Sequence, residues 1–270
     1  MELVPHTLVT FHAHPDDEAI TTAGVMAKAK AEGHRVVLVV ATKGELGEVG
    51  EGVLAPGEDL ASRRVVETRA AADILGIDRV EFLGYHDSGM MGEATNGDPA
   101  CFWAADIGEA AARLAAILDE ERADVLTIYD ERGAYGHPDH IQVHRVGARA
   151  GELARTAQVF EATMNHDYIV RLMKERGDEL AEMADDVERP DPEAMDLGMP
   201  ESVITTAVDV RDYTDVKRAA MAAHASQIPD NSFFLRMPPH AFREAFGIEW
   251  FIRRGAQPGI RESSLFEYLR

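Results

Sequence analysis

Cysteine is almost missing from this 270-residue sequence, in which Cys101 is the single example. One cysteine cannot close an intramolecular disulfide, and it cannot build a thiolate cage for zinc. The sequence therefore predicts a cytoplasmic protein rather than a disulfide-bonded secreted one. Cys101 stands beside Phe102 and Trp103 with no base close by in the sequence. We therefore expect an inert thiol there, not a nucleophile.

Basic residues are also scarce, because 27 lysines and arginines stand against 48 aspartates and glutamates, a formal net charge of -21. This balance disfavours nucleic-acid binding, which needs a basic footprint, and it disfavours docking onto anionic membranes. No apolar run is long enough to span a bilayer, and residues 1–5 lack the basic start of a signal peptide. The expected partner is a small molecule. The sequence leaves the oligomeric state open, a homo-oligomer included.

A glycine-rich phosphate loop is missing from the turn where a dinucleotide-binding fold would carry it. The first apolar, strand-like segment, residues 8–11, is followed by the sequence HPDDE before a helix-like segment at residues 19–32. This arrangement excludes a Rossmann-type nucleotide site at that turn.

What the chain does contain is a regular alternation of strand-like and helix-like segments. Residues 35–41 are an apolar, β-branched run bounded by Gly33 and Gly44. Strand, helix and strand with short joints predict right-handed βαβ units and a parallel sheet. The other predicted strands are residues 8–11, 79–83, 125–129, 158–163, 203–210 and 249–254, and the other predicted helices are residues 60–75, 106–122, 138–153, 171–192 and 212–226.

The predicted fold class is α/β, a Rossmann-like and mostly parallel sheet flanked by helices, with a less regular C-terminal part. An apolar content of 46% is enough for a sizeable core. We expect a single domain over residues 1–270. Residues 1–165 would form the Rossmann-like core, and residues 166–270 would add helices and strands that complete the pocket.

Histidines and acids crowd the ends of two predicted strands. Residues 12–18 read HAHPDDE, and residues 135–140 read YGHPDH after another apolar run. Ligands of open α/β sheets bind outside the carboxyl ends of the strands, so the two segments are expected to face one crevice. An alternative is that these residues only cap helices, with Asp16 or Asp17 as an N-cap.

The motifs AHPDDE at residues 13–18 and HPDH at residues 137–140 together resemble the LmbE-like, or PIG-L, family of zinc-dependent N-deacetylases. The resemblance is best between residues 8 and 168. It implies that His14, Asp17 and His140 bind the metal, a set that suits a catalytic zinc site with an open position for water. Iron(II) is the alternative metal for the same set.

The resemblance also implies roles in catalysis for four further residues. Asp16 would be the general base that takes a proton from the attacking water. His137, in its protonated form, would stabilise the oxyanion and supply a proton to the leaving amine, while Asp139 would orient His137. Tyr135 matches a mobile active-site tyrosine that offers another donor to the oxyanion.

An N-acyl sugar, commonly an N-acetylglucosaminyl unit, is the substrate that the resemblance implies. Arg64 and Asp87 match positions that contact sugar hydroxyls, and Met90 would form an apolar wall. His12 and His144 are expected to have supporting or structural roles, since the metal set is complete without them.

Three functions compete at this point. The first is zinc-dependent removal of an N-acetyl group from an N-acetylglucosamine-type sugar. The second is cleavage of mycothiol S-conjugates or deacetylation of a glycosylated natural product. No lysine occurs between Glu18 and Lys28, although amidase-type members carry one nearby, and this weakens the conjugate-amidase interpretation. The third is a non-catalytic metal- or ligand-binding role. A purely structural metal site needs neither Asp16 nor His137, and their presence argues against this function.

Overall fold

The computed structural model describes residues 4–183 and 197–269, with side chains described for residues 4–176 and 197–269. The predictions for residues 1–3 and for residues 184–196 lie outside the described residues.

A seven-stranded sheet in the order β3-β2-β1-β4-β5-β7-β6 forms the centre of the molecule. The first five strands in sequence are parallel to one another, and β7 runs antiparallel to both of its neighbours, β5 and β6. The predicted α/β class with a mostly parallel sheet is therefore confirmed. The strands are β1 Thr7–His12, β2 Arg35–Val40, β3 Arg79–Phe82, β4 Val125–Tyr129, β5 Gln158–Thr163, β6 Thr206–Asp209 and β7 Ile248–Arg253.

Helices cover the sheet, as the alternating pattern predicts. Because helices cover their faces, the central strands have near-continuous burial: every residue of β4 is buried, as are five of the six in β2. The helices are α1 Asp17–Thr21, α2 Ala23–Ala31, α3 Leu60–Leu75, α4 Ile107–Glu121, α5 Gly133–Gly136, α6 Pro138–Ala154, α7 His166–Met183, α8 Thr214–Ala223, α9 Phe233–Arg236 and α10 Pro239–Phe246.

The helix predicted over residues 19–32 is two helices, α1 and α2, and this prediction was wrong in its continuity. Thr22 separates them with φ -131° and ψ 3°. Its hydroxyl lies 2.9 Å from His12 Nε2, and the carboxylate of Glu249 accepts hydrogen bonds from the backbone N–H groups of Gly24 and Val25, both at 2.8 Å. Tertiary contacts thus satisfy the N–H groups at the start of a second helix, although the sequence pattern predicts one continuous helix.

The C-terminal part extends the sheet and returns to the site. β7 and β6 follow β5 at one edge, and α8 packs against α1, α2 and α3. This packing brings the residues that follow α8 close to the loop that follows β1. Among the described residues, none of the helices has the length and apolar character needed to cross a membrane.

Candidate metal-dependent active site

The candidate site lies at the carboxyl edge of the sheet, where the strand order reverses. β1 sits between β2 and β4, so the loops that follow β1 and β4 leave a crevice between them. The loop after β1 carries His14 and Asp16, and the chain after β4 leads to His137 and His140 at the start of α6. The structure therefore brings the two sequence motifs together.

Among the three predicted metal ligands, Asp17 lies close to both histidines. Asp17 Oδ2 lies 3.4 Å from His14 Nδ1 and 3.4 Å from His140 Nε2. Both imidazoles are buried, and the Asp17 side chain is 13% exposed. Burial alone would raise the pKa of Asp17, but the adjacent His140 and His14 outweigh it and hold that pKa well below its usual range. The carboxylate is therefore ionised, as a metal ligand must be.

The chemistry of this donor set fits a divalent metal such as zinc. His140 Nε2 is buried and has no hydrogen-bond partner, which is unusual for a ring nitrogen in a protein interior. The opposite nitrogen of His14, Nε2, lies 3.2 Å from Asp139 Oδ2, and that contact orients the His14 ring with Nδ1 towards Asp17. A ring nitrogen held by a carboxylate is typical of metal-binding histidines.

One group of donor atoms that lie within 4.8 Å of one another comes from His14, His137 and His140, and a second comes from His14, Asp87 and Asp139. Its carboxylates already accept protein hydrogen bonds. The Asp87 carboxylate accepts two backbone N–H groups, at 2.9 and 3.3 Å, and Asp139 accepts the Ser88 N–H at 2.9 Å and the Ser88 hydroxyl. Asp17 Oδ2 also accepts a hydrogen bond, from the His14 N–H at 2.8 Å, so the feature that distinguishes the set around His140 is its buried Nε2, which has no hydrogen-bond partner.

Asp16 lies next to this set in a strained backbone conformation. Its φ is 96°, in the left-handed region that non-glycine residues seldom adopt. One carboxylate oxygen lies 3.3 Å from Arg64 Nη2, and its side chain is 17% exposed. Burial raises the pKa of Asp16 to about 6, against the lowering effect of Arg64. A carboxylate with this pKa is suited to gain and lose a proton near neutral pH.

His137 and Asp139 are adjacent, but they interact differently from the predicted carboxylate–imidazole pair. The backbone N–H of Asp139 donates to His137 Nδ1 at 3.1 Å, while the Asp139 carboxylate turns to His14 and Ser88. Burial and the nearby His14 and His140 lower the pKa of His137 to about 4. His137 is therefore neutral near pH 7, and because Nδ1 accepts a hydrogen bond, Nε2 carries the ring proton.

Tyr135 occupies the rim of the site on the short helix α5. Its side chain is 50% exposed, and its ring centroid lies 5.0 Å from that of His140. Ala134, just before it, has φ 61° and ψ -66°, which are not helical values. The buried Asp130 carboxylate fixes this turn, since it accepts hydrogen bonds from the N–H groups of Arg132 at 3.0 Å and Ala134 at 3.2 Å.

The three residues predicted to contact substrate lie in different environments. Arg64 is buried, and its guanidinium donates to the carbonyl oxygens of Gly44, at 2.7 Å, and Pro15. Asp87 Oδ1 lies 3.5 Å from His14 Nε2. Met90 is 50% exposed at the rim. The structure thus places Arg64 beside Asp16, Asp87 in the interior beside His14, and Met90 at the exposed rim.

His12 and His144 lie outside the donor set. The two ring nitrogens of His12 lie 2.8 Å from the Tyr129 hydroxyl and 2.9 Å from the Thr22 hydroxyl. His144 Nδ1 lies 3.0 Å from the carbonyl oxygen of Tyr129. Within the residues that the structure describes, neither ring belongs to a group that could hold a metal.

Comparisons with known proteins agree with this geometry. The family model described as "PIG-L: GlcNAc-PI de-N-acetylase" matches residues 9–151. The 1D-myo-inositol 2-acetamido-2-deoxy-alpha-D-glucopyranoside deacetylase of Acidothermus cellulolyticus is 40% identical over 96% of this chain and 94% of its own length. The enzyme of the same name from Salinispora arenicola is 41% identical over 90% of this chain and 83% of its own.

This chain belongs to the PIG-L family. A solved structure from Pyrococcus horikoshii, an N,N'-diacetylchitobiose deacetylase complexed with its inhibitor, has the same fold. It superposes with a TM-score of 0.58 at 22% identity, covering 97% of this chain and 86% of the other. As a member of the PIG-L family, the chain is an N-deacetylase, a hydrolase that acts on an amide. The predicted enzyme class is confirmed.

Sequence reasoning missed three residues that surround the PIG-L site. Ser88 holds the Asp139 carboxylate. Glu18 and His224 form a buried pair directly behind Asp16. Glu18 is predicted only as part of the AHPDDE motif, and no catalytic or binding role is predicted for His224. Glu18 carries a signal because it belongs to the motif, while 206 residues separate it from His224.

Proposed function

We propose that this chain is a zinc-dependent deacetylase that removes the acetyl group from an N-acetylglucosaminyl-inositol type of sugar. The observation that carries the proposal is the buried, unpartnered Nε2 of His140, which faces Asp17 Oδ2 at 3.4 Å beside Asp16. The proposed substrate follows the names of the two bacterial relatives, which match nearly the whole chain.

His14, Asp17 and His140 would hold the metal, for which we propose zinc, with iron(II) as the alternative. When bound, zinc supplies a Lewis acid and lowers the pKa of the attacking water. Asp139 supports the set because its carboxylate fixes the His14 ring through Nε2 at 3.2 Å.

Asp16 takes the proton of the water that attacks the amide carbonyl. The pKa of about 6 leaves its carboxylate mostly ionised at pH 7, and it remains basic enough to accept a proton. Arg64, at 3.3 Å, fixes the carboxylate from behind. The protonated Asp16 can then return the proton to the leaving amine.

His137 donates to the oxygen of the acetyl group where negative charge develops. The structure favours a neutral imidazole with the proton on Nε2, instead of the predicted imidazolium, because Nδ1 already accepts from the Asp139 N–H. Tyr135 supplies a second hydroxyl donor from the rim, and burial raises its pKa, so the phenol keeps its proton.

The sugar would lie across the open side of the crevice. Asp87 offers a carboxylate to its hydroxyls, and the nearby His14, opposing burial, lowers the pKa of Asp87 so that it stays ionised. Met90 covers an apolar face. We propose for Arg64 an indirect contribution through Asp16, since its guanidinium is already occupied by backbone carbonyls. A single domain and a cytoplasmic location stay predictions from the sequence, and the oligomeric state stays open.

Acetate release tests the proposal. The protein is stripped with a chelator, reloaded with zinc or with iron(II) under anaerobic conditions, and incubated with N-acetylglucosaminyl-inositol. Metal-dependent release of acetate and a free amine is expected. Tight zinc binding without release from this sugar would sink the substrate assignment. Assays with larger N-acetylated glycosides and a mycothiol S-conjugate then decide between the other candidate functions.

A further inference from the structure

Glu18 and His224 form an ion pair that is completely enclosed by protein. His224 Nε2 lies 2.5 Å from Glu18 Oε1, and both side chains are 0% exposed. Burial alone would lower the pKa of His224, but Glu18 outweighs it and raises that pKa. Enclosed charge pairs contribute little net stability, and replacing them with apolar residues is often neutral or favourable. Net stability alone therefore does not account for this pair.

The second oxygen of Glu18 reaches the backbone of the proposed base. Glu18 Oε2 accepts a hydrogen bond from the Asp16 N–H at 3.0 Å. Asp16 has φ 96°, a conformation that a non-glycine residue keeps only when its surroundings hold it. The carboxylate of Glu18 thus holds the backbone of Asp16. This backbone conformation sets the direction in which the Asp16 carboxylate points.

The turn that carries His224 is itself fixed to the walls of the site. The Ser226 N–H and hydroxyl both donate to Glu67 on α3, at 2.9 and 2.6 Å. The Gln227 amide donates to the carbonyl oxygen of Glu48, in the loop between β2 and α3, at 3.1 Å. These hydrogen bonds hold the turn that carries His224 without any contribution from Glu18. The position of His224 can therefore determine the position of the Glu18 side chain.

We propose that His224 is a positioning residue for Asp16, acting through Glu18. His224 fixes one oxygen of Glu18, and the other oxygen fixes the Asp16 backbone in the left-handed conformation. The C-terminal part of the chain thereby controls the geometry of the base at the first strand end. This inference rests on the proposed function, because it assumes that Asp16 is the base.

A double-mutant cycle between His224 and Asp16 tests the inference. His224→Leu should lower kcat about 10- to 100-fold with KM and zinc content unchanged, since a displaced base loses much of its contribution. In an Asp16→Asn background the same change should have almost no further effect, because no base remains to be positioned. His224→Gln keeps a nitrogen donor near the position of Nε2, and it should recover most of kcat.

His34→Leu is the matched control. His34 is a buried histidine before β2, at the other end of the sheet, and its ring stacks on Phe266 with centroids 4.0 Å apart. Its replacement should lower stability and leave kcat within about threefold. If His224→Leu fails to fold, Glu18→Gln in both Asp16 backgrounds takes its place: it should lower kcat when Asp16 is present and have almost no further effect when residue 16 is Asn.

The outcomes are distinguishable. Equal loss of kcat in both Asp16 backgrounds, or no loss from His224→Leu in an active enzyme, would overturn the positioning role alone. A wild-type protein that releases no acetate from any N-acetylated sugar or conjugate would overturn the proposed function and this inference with it.

Discussion

The pKa values of two adjacent acids in this site are shifted in opposite directions, and the environment of each acid explains why. Burial raises the pKa of Asp16 to about 6, whereas His140 and His14 overcome burial and lower the pKa of Asp17 well below its usual range. Neighbouring groups with pKa values pushed apart are characteristic of a division of chemical roles. Asp17 suits permanent charge and metal ligation, and Asp16 suits proton transfer.

Asp16→Asn should lower kcat by about 10²- to 10⁴-fold, because the general base is lost while the side-chain volume is kept. Zinc content should not change. Since Asp16 is active when deprotonated, kcat/KM of the wild type should rise with pH through about 6 and then level off. Steady-state rates of acetate release at several pH values measure both effects. Loss of zinc together with activity would instead assign Asp16 to the metal.

Ser88→Ala should weaken zinc binding about tenfold, the low end of the usual effect of residues that support a metal ligand. Ser88 is 0% exposed, and both its N–H and its hydroxyl hold the Asp139 carboxylate that orients His14. Removing the hydroxyl frees one of those oxygens. Competition with a fluorescent zinc chelator measures the affinity. Ser263→Ala, at an exposed position, serves as control, and equal affinities in both variants would contradict the prediction.

The sequence predicted which residues would meet at the site, but it did not predict the contacts between them. The spacing within HPDH brought His137 and Asp139 together, and a carboxylate–imidazole contact was the natural expectation. In the fold, the Asp139 carboxylate points to Ser88 and His14, because the Ser88 loop arrives from β3. Such a choice depends on a contact between residues 51 apart in sequence, which periodicity does not encode.

At the scale of elements, local patterns were enough for most helices and strands and insufficient for their joints and order. β2 and β4 follow from short apolar runs. The break between α1 and α2 does not, because it depends on Glu249 in β7, more than 200 residues away. The antiparallel placement of β7 between β5 and β6 is equally non-local. Contacts between residues distant in sequence, more than local helix and strand propensities, determine the break between α1 and α2 and the placement of β7.

The start of α2 is tied to the C-terminal part by a buried pair that should matter for stability. Lys217 Nζ on α8 lies 2.6 Å from Glu249 Oε1, and both side chains are at most 3% exposed. Lys217→Met leaves the Glu249 charge buried without its partner, so the free energy of unfolding should fall by about 3–5 kcal/mol. Urea denaturation followed by circular dichroism measures the change.

A double variant separates the charge from the packing. Lys217→Met with Glu249→Gln removes both charges and keeps one acceptor oxygen for one of the two backbone N–H groups, Gly24 or Val25. It should recover a large part of the stability lost in the single variant. A double variant as unstable as the single one would show that the contacts of Lys217, not its charge, are what the fold requires.

For the whole molecule, zinc and protons should compete for the same histidine. Burial would lower the pKa of His14, but the carboxylates of Asp139, Asp17 and Asp87 outweigh it and raise that pKa well above its usual value. Without zinc, the charged His14 therefore contributes stability that is fully present below about pH 6.5 and is lost as pH rises through the folded-state pKa. Zinc requires the neutral ring, so its binding releases the proton and strengthens as pH rises.

The increase in Tm that zinc produces should therefore be larger at pH 8 than at pH 6. One displaced proton changes the zinc contribution by about 1.4 kcal/mol per pH unit, or roughly 3–5 °C in Tm for a chain of this size. Differential scanning calorimetry with chelator or with excess zinc at each pH measures the difference, and groups that titrate equally in both forms cancel. His140→Ala should abolish most of the zinc effect at every pH. A zinc-induced shift in Tm that is the same at pH 6 and pH 8 would mean that His14 carries no proton for the metal to displace. The conclusion that the three carboxylates raise the pKa of His14 would then be wrong.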